Sequence, residues 1–409
     1  MKKIFIIFLF ILFSGCEIKK DVPLIIGANE TSTTTQESIP PEIIPDNTIT
    51  ITISSFIPQE TEFGKVYLEQ INLFEKKYPN IKIEHHYGTT ANFLTDIILS
   101  FNMNTEPDVL FLPINIVNEN IPVEKLKSVE EIRILNYNYV QNIPNDTLLM
   151  SDKIENYSLA VPINGYYSGL YYNAILFEEL NLPIPATYEA FLIASQRLIE
   201  QNKNIITASL LYEPVLVFEQ LLLSARGQNS QNQSELQERS ILTRANDMFL
   251  NLIDTNIFDE KSKTNTPTQA KSQFFSGEVA MLIEGSYLQN EKDYPSFARM
   301  IPFPYEHGEN KKYIAKFDTG FIVTKNSFEN IIKQDIIIEF INFMTSNASL
   351  DLYKLTNRGI SPTDLNKDTY TVSPFMQETP IIKVEIMRNI SEVLSETDQK
   401  NSIENIVFH

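Results

Sequence analysis

An α/β fold built from parallel βαβ units is the class this sequence predicts, and three observations between residues 48 and 111 carry it. The run "TITITISSF" (48–56) puts Ile49, Ile51 and Ile53 on one face, the period-2 pattern of a strand. Phe63, Val66, Tyr67, Ile71 and Phe74 then recur near the helical spacing until Pro79 stops the helix. "IKIEHHY", "FLTDIILSF" and "PDVLFL" repeat the theme as strand, helix and strand. Such an alternation over about 65 residues predicts a parallel sheet with helical crossovers. Ligands of sheets of this kind gather beyond the carboxyl ends of the strands. Those ends fall near Phe56, Tyr87 and Phe111.

The chain has 409 residues, 43% of them hydrophobic and 11% aromatic, a composition that builds ample core. A folded body of about 360 residues exceeds what one hydrophobic core usually supports, so two lobes are expected. Ahead of it, residues 17–47 hold the polar tract "TSTTTQES" and the proline-rich "IPPEIIPDN". Neither can bury enough apolar surface to offset the entropy of ordering its backbone, so the stretch is read as a tether. Further upstream, "MKK" and the ten apolar residues Ile4–Phe13 precede Ser14, Gly15 and Cys16. A permanent membrane span needs about 20 apolar residues, so residues 1–15 are read as an export signal.

Losing that signal removes Lys2 and Lys3 and moves the formal net charge from −19 to −21. Nucleic-acid phosphates demand clustered Lys and Arg, so nucleic acid is excluded as a partner. Cys16 is the sole cysteine, which rules out an intramolecular disulfide. Of the four histidines, His85, His86, His307 and His409, the first two adjoin in a strand and point to opposite faces, unable to grip one ion together. No metal site and no cofactor is expected. Nucleophile elbow, zinc-protease motif and phosphate-cradling glycine loop are all missing from the sequence, which argues against an enzyme. The paired acids Glu130-Glu131 and Glu178-Glu179 fall in helix-like or loop stretches and are read as solvated faces.

The stretch "VPINGYYSGLYYN" (161–173) carries Tyr166, Tyr167, Tyr171 and Tyr172 within seven positions. As a strand it would project Tyr166, Ser168 and Leu170 to one side and Tyr167, Gly169 and Tyr171 to the other. A ring at such a place either packs with its hydroxyl paired or stays partly open as a stiff recognition surface.

Six blocks in order, "INLFEKKYPNIKIEHHY", "EPDVLFL", "VPINGYYSGLYYNAILFEELNLPIPATYEAFLIASQRL", "FFSGEVAMLIEGSY", "TGFIVTKNSFENIIKQDIIIEFINFMTS" and "NRGISPT", resemble extracellular solute-binding proteins of the maltose-binding type, the receptors of ATP-binding-cassette (ABC) importers. The likeness runs from about residue 49 to residue 363. It implies the two-lobe, type II periplasmic-binding-protein fold, each lobe a mainly parallel sheet flanked by helices, with ligand held in the cleft between them. Transferred to this chain, the N-lobe spans 48–164 with 322–357 and the C-lobe 165–321 with 358–409. Gly165 and Gly169 then lie at the first chain crossing, Gly320 at the second and Gly359 at the third, where residues without Cβ suit a hinge. The lone cysteine after Ser14-Gly15 likewise resembles the lipobox of bacterial lipoproteins, with Phe13 where leucine is usual, and implies a lipid on Cys16. Ordinary cleavage nearby is the alternative.

By the same resemblance Tyr287 of "EGSY" stands where sugar-binding relatives carry a tryptophan beneath a pyranose ring, with Glu284 close by. Tyr166 falls at a cleft position, and Tyr167 is placed with it, while Tyr171 and Tyr172 are assigned to the core. Phe56, Phe111 and Asn115 are the candidates on the rim of the first lobe, and Asp318 and Thr319 precede Gly320. A sugar offers C–H-rich faces and a rim of hydroxyls, which aromatic plates and short polar groups match. The chain departs from the pattern in having no tryptophan and in carrying Leu112 where some relatives place an aromatic ring. The implied function is a monomeric, exported, membrane-anchored lipoprotein on the periplasmic or cell-surface side that captures a small sugar-like solute and passes it to an ABC permease. The rival is a surface adhesin or antigen that kept the two-lobe body and lost the cleft.

Overall fold

The computed structural model describes residues 48–373 except 59, 202, 209–213, 228–234, 259, 309 and 358. The expected signal, Cys16 and tether, and residues 374–409 assigned to the C-lobe, lie outside the described residues. Thirteen strands are found among those described: β1 (Ile49–Ser55), β2 (Ile81–Tyr87), β3 (Val109–Pro113), β4 (Leu126–Lys127), β5 (Leu149–Met150), β6 (Ser158–Pro162), β7 (Tyr166–Asn173), β8 (Asn204–Thr207), β9 (Val279–Gly285), β10 (Ala298–Ile301), β11 (Tyr313–Lys316), β12 (Thr319–Thr324) and β13 (Tyr370–Val372). They form two sheets. The first has the order β2-β1-β3-β12-β6-β5 with β4 beside β12, the second β13-β11-β7-β9-β8 with β10 beside β7.

The opening βαβαβ pattern folds as expected. Ile51 and Ile53 are fully buried in β1, and the helix Glu62–Lys77 turns Tyr67, Ile71 and Phe74 toward them. The Thr61 side chain starts this helix by accepting the Gly64 N–H, and Pro79 follows its end. β1 pairs in parallel with both β2 and β3. Because β3 is covered on both faces, its residues alternate between two cores: Val109 and Phe111 join the Tyr67 side, Leu110 and Leu112 the side of Ile97 and Phe101.

The expectation of mainly parallel sheets needs correcting. Among the described strands, β1-β2, β1-β3, β8-β9 and β11-β13 pair in parallel, whereas β7 runs against β9, β10 and β11, and β12 against β3, β4 and β6. The reason lies in the crossings. The βαβ strands end at the edge where the chain changes sheets, so β7 and β12, which begin there, must run the other way.

Of the paired acids, Glu178 and Glu179 are exposed as expected, whereas Glu130 and Glu131 differ. Glu131 closes a capping box with Ser128 at the head of the helix Val129–Leu135 and accepts the Tyr157 hydroxyl at 2.6 Å, and Glu130 accepts the Ser158 N–H at 3.1 Å. They tie that helix to β6 rather than only facing water. A second polar tie sits under the first sheet: Asp108, 2% exposed, accepts the Thr52 N–H at 2.7 Å and receives Nζ of Lys333 at 2.8 and 2.9 Å. Leu170, Ile206, Met281 and Ile283 of the second sheet pack with the helices Tyr188–Glu200, Pro214–Arg226 and Glu235–Asp254, and Tyr171 and Leu282 pack with Phe274.

Candidate functional site

Three chain segments carry the polypeptide between the two sheets, and they run side by side. Pro162, ending β6, lies opposite Gly320 of β12 in the first sheet. Four residues on, Tyr166, opening β7, lies opposite Lys316, the last residue of β11, in the second. Gly165 between them exchanges both backbone hydrogen bonds with Ile360, at 2.9 and 3.0 Å, which brings in the third segment. At Gly165 space is the requirement, because a Cβ would stand 2.4 Å from the Lys316 carbonyl oxygen. Gly169 and Gly320 sit buried inside β7 and β12, and Gly359, half-buried, precedes Ile360.

On the second sheet the crossing ends in an aromatic corner. The rings of Tyr166 and Tyr287 meet edge to face, centroids 5.3 Å apart and planes at 79°. Both rest over Gly285, where a Cβ would lie 2.3 Å from the Tyr287 ring and 3.0 Å from that of Tyr166. Tyr287 remains 36% exposed. Its hydroxyl donates to Oε1 of Glu284, which is 3% exposed and also accepts the Gly285 N–H at 2.7 Å. From below, the Tyr171 hydroxyl donates to the Gly285 carbonyl at 3.0 Å, and burial raises its pKa well beyond the ordinary tyrosine range, so it stays a donor. Tyr171 and Tyr172 are core, as expected.

Tyr167 does not join this corner. Strand alternation sends it to the opposite face of β7, where its ring packs 5.1 Å from that of Tyr313 and 5.5 Å from that of Tyr370, while its N–H donates to Ser286 Oγ at 3.2 Å. Gly169 and Glu284 are cross-strand partners on β7 and β9. Ser286 and Gly285 carry no side-chain chemistry that a sequence reading would flag. Their value appears only once β7 and β9 are paired.

The first sheet supplies a second group. Asn115 and Asp318 are exposed, and the two segments are joined by the Ile114 N–H donating to the Asp318 carbonyl at 2.7 Å. The Thr319 hydroxyl donates to Asp318 Oδ1 at 2.9 Å. Phe56 is half-buried against the Ile97–Phe101 core, its N–H donating to the Phe111 carbonyl. Phe111 is a core ring instead of a rim ring: it is 3% exposed, with Tyr67 at 5.4 Å and Phe321 at 4.8 Å. At the carboxyl end of β2, His85 hydrogen-bonds Ser55 Oγ at 2.9 Å, which in turn contacts the Tyr67 hydroxyl at 3.1 Å. Ser55 is fully buried, so this is a core polar network rather than an accessible nucleophile. Burial, aided by the neighbouring His86, pulls the His85 pKa down to about 4. Among the described residues no cluster of three or more His, Cys, Asp or Glu side chains is placed to hold a metal ion, and no helix is long and apolar enough to cross a membrane.

The corner therefore offers a flat ring and a phenol held by a buried carboxylate, which suit non-covalent recognition of a polar molecule with an apolar face. A family model of bacterial extracellular solute-binding proteins matches residues 57–350. No curated protein matches by sequence. Among solved structures, a family 1 extracellular solute-binding protein from Bifidobacterium longum subsp. infantis is 13% identical, with 88% of this chain and 98% of that chain covered at a TM-score of 0.69. RafE from Streptococcus pneumoniae is 15% identical, covering 89% and 97% at 0.64. The GacH receptor of Streptomyces glaucescens is 15% identical, covering 88% and 96% at 0.63. At such identities the likeness is one of fold, a two-lobe α/β architecture.

Proposed function

Since the chain belongs to the bacterial extracellular solute-binding protein family, we propose that it is the receptor of an ABC importer, taking up a small sugar-like solute by closing its two lobes and delivering it to a membrane permease. The observation that carries this reading is the Tyr166–Tyr287 corner beside the three crossings. RafE has been solved in complex with raffinose and GacH in complex with acarbose, which supports a sugar as the solute class.

The N-lobe is taken as residues 48–164 with 322–357 and the C-lobe as 165–321 with 358–409, with the crossings at Gly165, Gly320 and Gly359 as the hinge. Closure is a population shift: solute favours the closed form only by the difference in its affinity for the two states. Micromolar affinity corresponds to about 8 kcal/mol, within reach of ring stacking plus several buried hydrogen bonds. No bond is made or broken, so the protein acts as a receptor and not as an enzyme. Export and a lipid on Cys16, supported by "MKK", the apolar run and "SGC", would hold it at the membrane beside its permease, as a monomer.

A thermal-shift screen of mono- and disaccharides, polyols, amino acids and polyamines tests the reading. A ligand that binds only the native state must raise the melting temperature. A rise with sugars supports it, and silence across the panel favours the surface adhesin or antigen.

A further inference from the structure

Glu219, in the helix Pro214–Arg226, is a charged side chain with 0% exposure that the tyrosine corner does not use. One of its carboxylate oxygens accepts the hydroxyl of Ser373, and the other lies 3.3 Å from Nζ of Lys316. Desolvating a carboxylate and an ammonium is costly even when they pair, so the contact fixes position more than it adds stability. What it fixes is Lys316, directly opposite Tyr166 on the neighbouring strand. Directly opposed residues of an antiparallel pair share a face. β9 pairs with the other side of β7 as far as Ser168–Gly285, and from the 3-10 turn that follows it the Tyr287 ring meets that of Tyr166 at 5.3 Å. Tyr166 thus has Lys316 opposite it on β11 and the Tyr287 ring against its own. The Lys316 side chain keeps 21% of its surface exposed, and Glu219 takes one of the three donors of its ammonium.

We propose that Lys316 is a solute-contacting residue of the second lobe and that Glu219 is its positioning residue; the inference rests on the sugar-receptor reading above. A free lysine loses much rotamer freedom when it engages a ligand. Lys316 has lost it in advance, so a hydroxyl on a ring seated at the tyrosine corner meets a donor already in place. Lys316 and Glu219 cancel in charge. The pair therefore presents donors without net charge, which suits a neutral polyhydroxylated ring over a carboxylate-bearing one.

Titration calorimetry of the purified protein with glucose, galactose, maltose, raffinose and galacturonate tests this, with melting temperatures recorded for each variant. Lys316→Met leaves Glu219 buried without its cation, so the double variant Glu219→Gln/Lys316→Met, which removes both charges, is the second arm. The wild type should bind a neutral sugar and not galacturonate, and both variants should lose about tenfold in affinity, the scale of one well-placed hydrogen bond to a charged donor. Glu219→Gln alone should gain galacturonate binding, because the ammonium is then uncompensated, a gain that a merely structural glutamate would not confer. Unchanged sugar affinity in the folded double variant overturns the role of Lys316 while leaving the receptor reading intact. Absence of galacturonate binding by Glu219→Gln overturns the role of Glu219. A wild type that binds none of the four neutral sugars overturns the sugar reading and this inference with it.

Discussion

Tyr166 opens β7 and Tyr287 lies in the 3-10 turn Ser286–Asn290 after β9, segments adjacent only after folding, yet their rings meet edge to face at 5.3 Å over a glycine that leaves room for both. Edge-to-face packing holds each ring in one orientation and is worth about 0.5–1.5 kcal/mol beyond burial. Tyr287 is thereby presented as a fixed plate, its hydroxyl on the buried Glu284.

Tyr287→Ala is expected to weaken solute binding by at least about tenfold, since it removes the plate, while the fold survives because the ring is already partly exposed. Tyr287→Phe should keep most of the affinity. Calorimetry on a solute identified by the thermal screen checks both, and unchanged affinity in Tyr287→Ala would reject the corner as the binding surface.

Asp108→Ala should destabilise the protein by about 3 kcal/mol, because it strands the Thr52 N–H and the Lys333 ammonium beneath the first sheet. Asp108→Asn, which keeps an acceptor, should lose less. Urea midpoints at neutral pH separate the two.

His85 gives a pH dependence whose sign is set by its depressed pKa. The unfolded chain takes up a proton near the ordinary value of 6.5, whereas folded His85 refuses it until about pH 4. Its stabilisation is complete above pH 6.5 and is lost as the pH falls through that window. His85→Gln should therefore flatten the fall in stability between pH 6.5 and 4, measured by chemical denaturation at each pH. An unaltered slope would mean that His85 titrates normally.

Gly165→Ala places a methyl group 2.4 Å from the Lys316 carbonyl oxygen and forces the first two crossings apart. A loss of about 1–3 kcal/mol is expected, the usual scale of overpacking. Differential scanning calorimetry would register it as a lowered melting temperature, and a wild-type melting point would show that the crossings are loosely packed.

Much of the first sheet was legible in the chain. Ile49, Ile51 and Ile53 alternate, and the helix carrying Tyr67 and Phe74 keeps its period, because each element declares its own buried face. The alternation in "GYYSGLYYN" also separated Tyr166 from Tyr167 correctly, although both were then placed in the cleft; the structure keeps them on opposite faces. What was hidden depended on partners remote in sequence. Phe111 reads as a strand end in the sequence, but β3 runs on to Pro113, and the arrival of Tyr67 and Phe321 makes its ring core. Glu219 resembles any helical glutamate until Lys316 and Ser373 close over it, 97 and 154 residues away. The antiparallel run of β7 and β12 follows from the crossings, which no local pattern records.

X-ray solution scattering, recorded with and without the sugar that gives the largest thermal shift, addresses lobe closure directly. The account predicts a smaller radius of gyration in the presence of that sugar, and the same radius with and without it for Tyr287→Ala at an equal concentration. A radius that stays constant for the wild type at saturating sugar, or a panel in which no sugar binds at all, would contradict it.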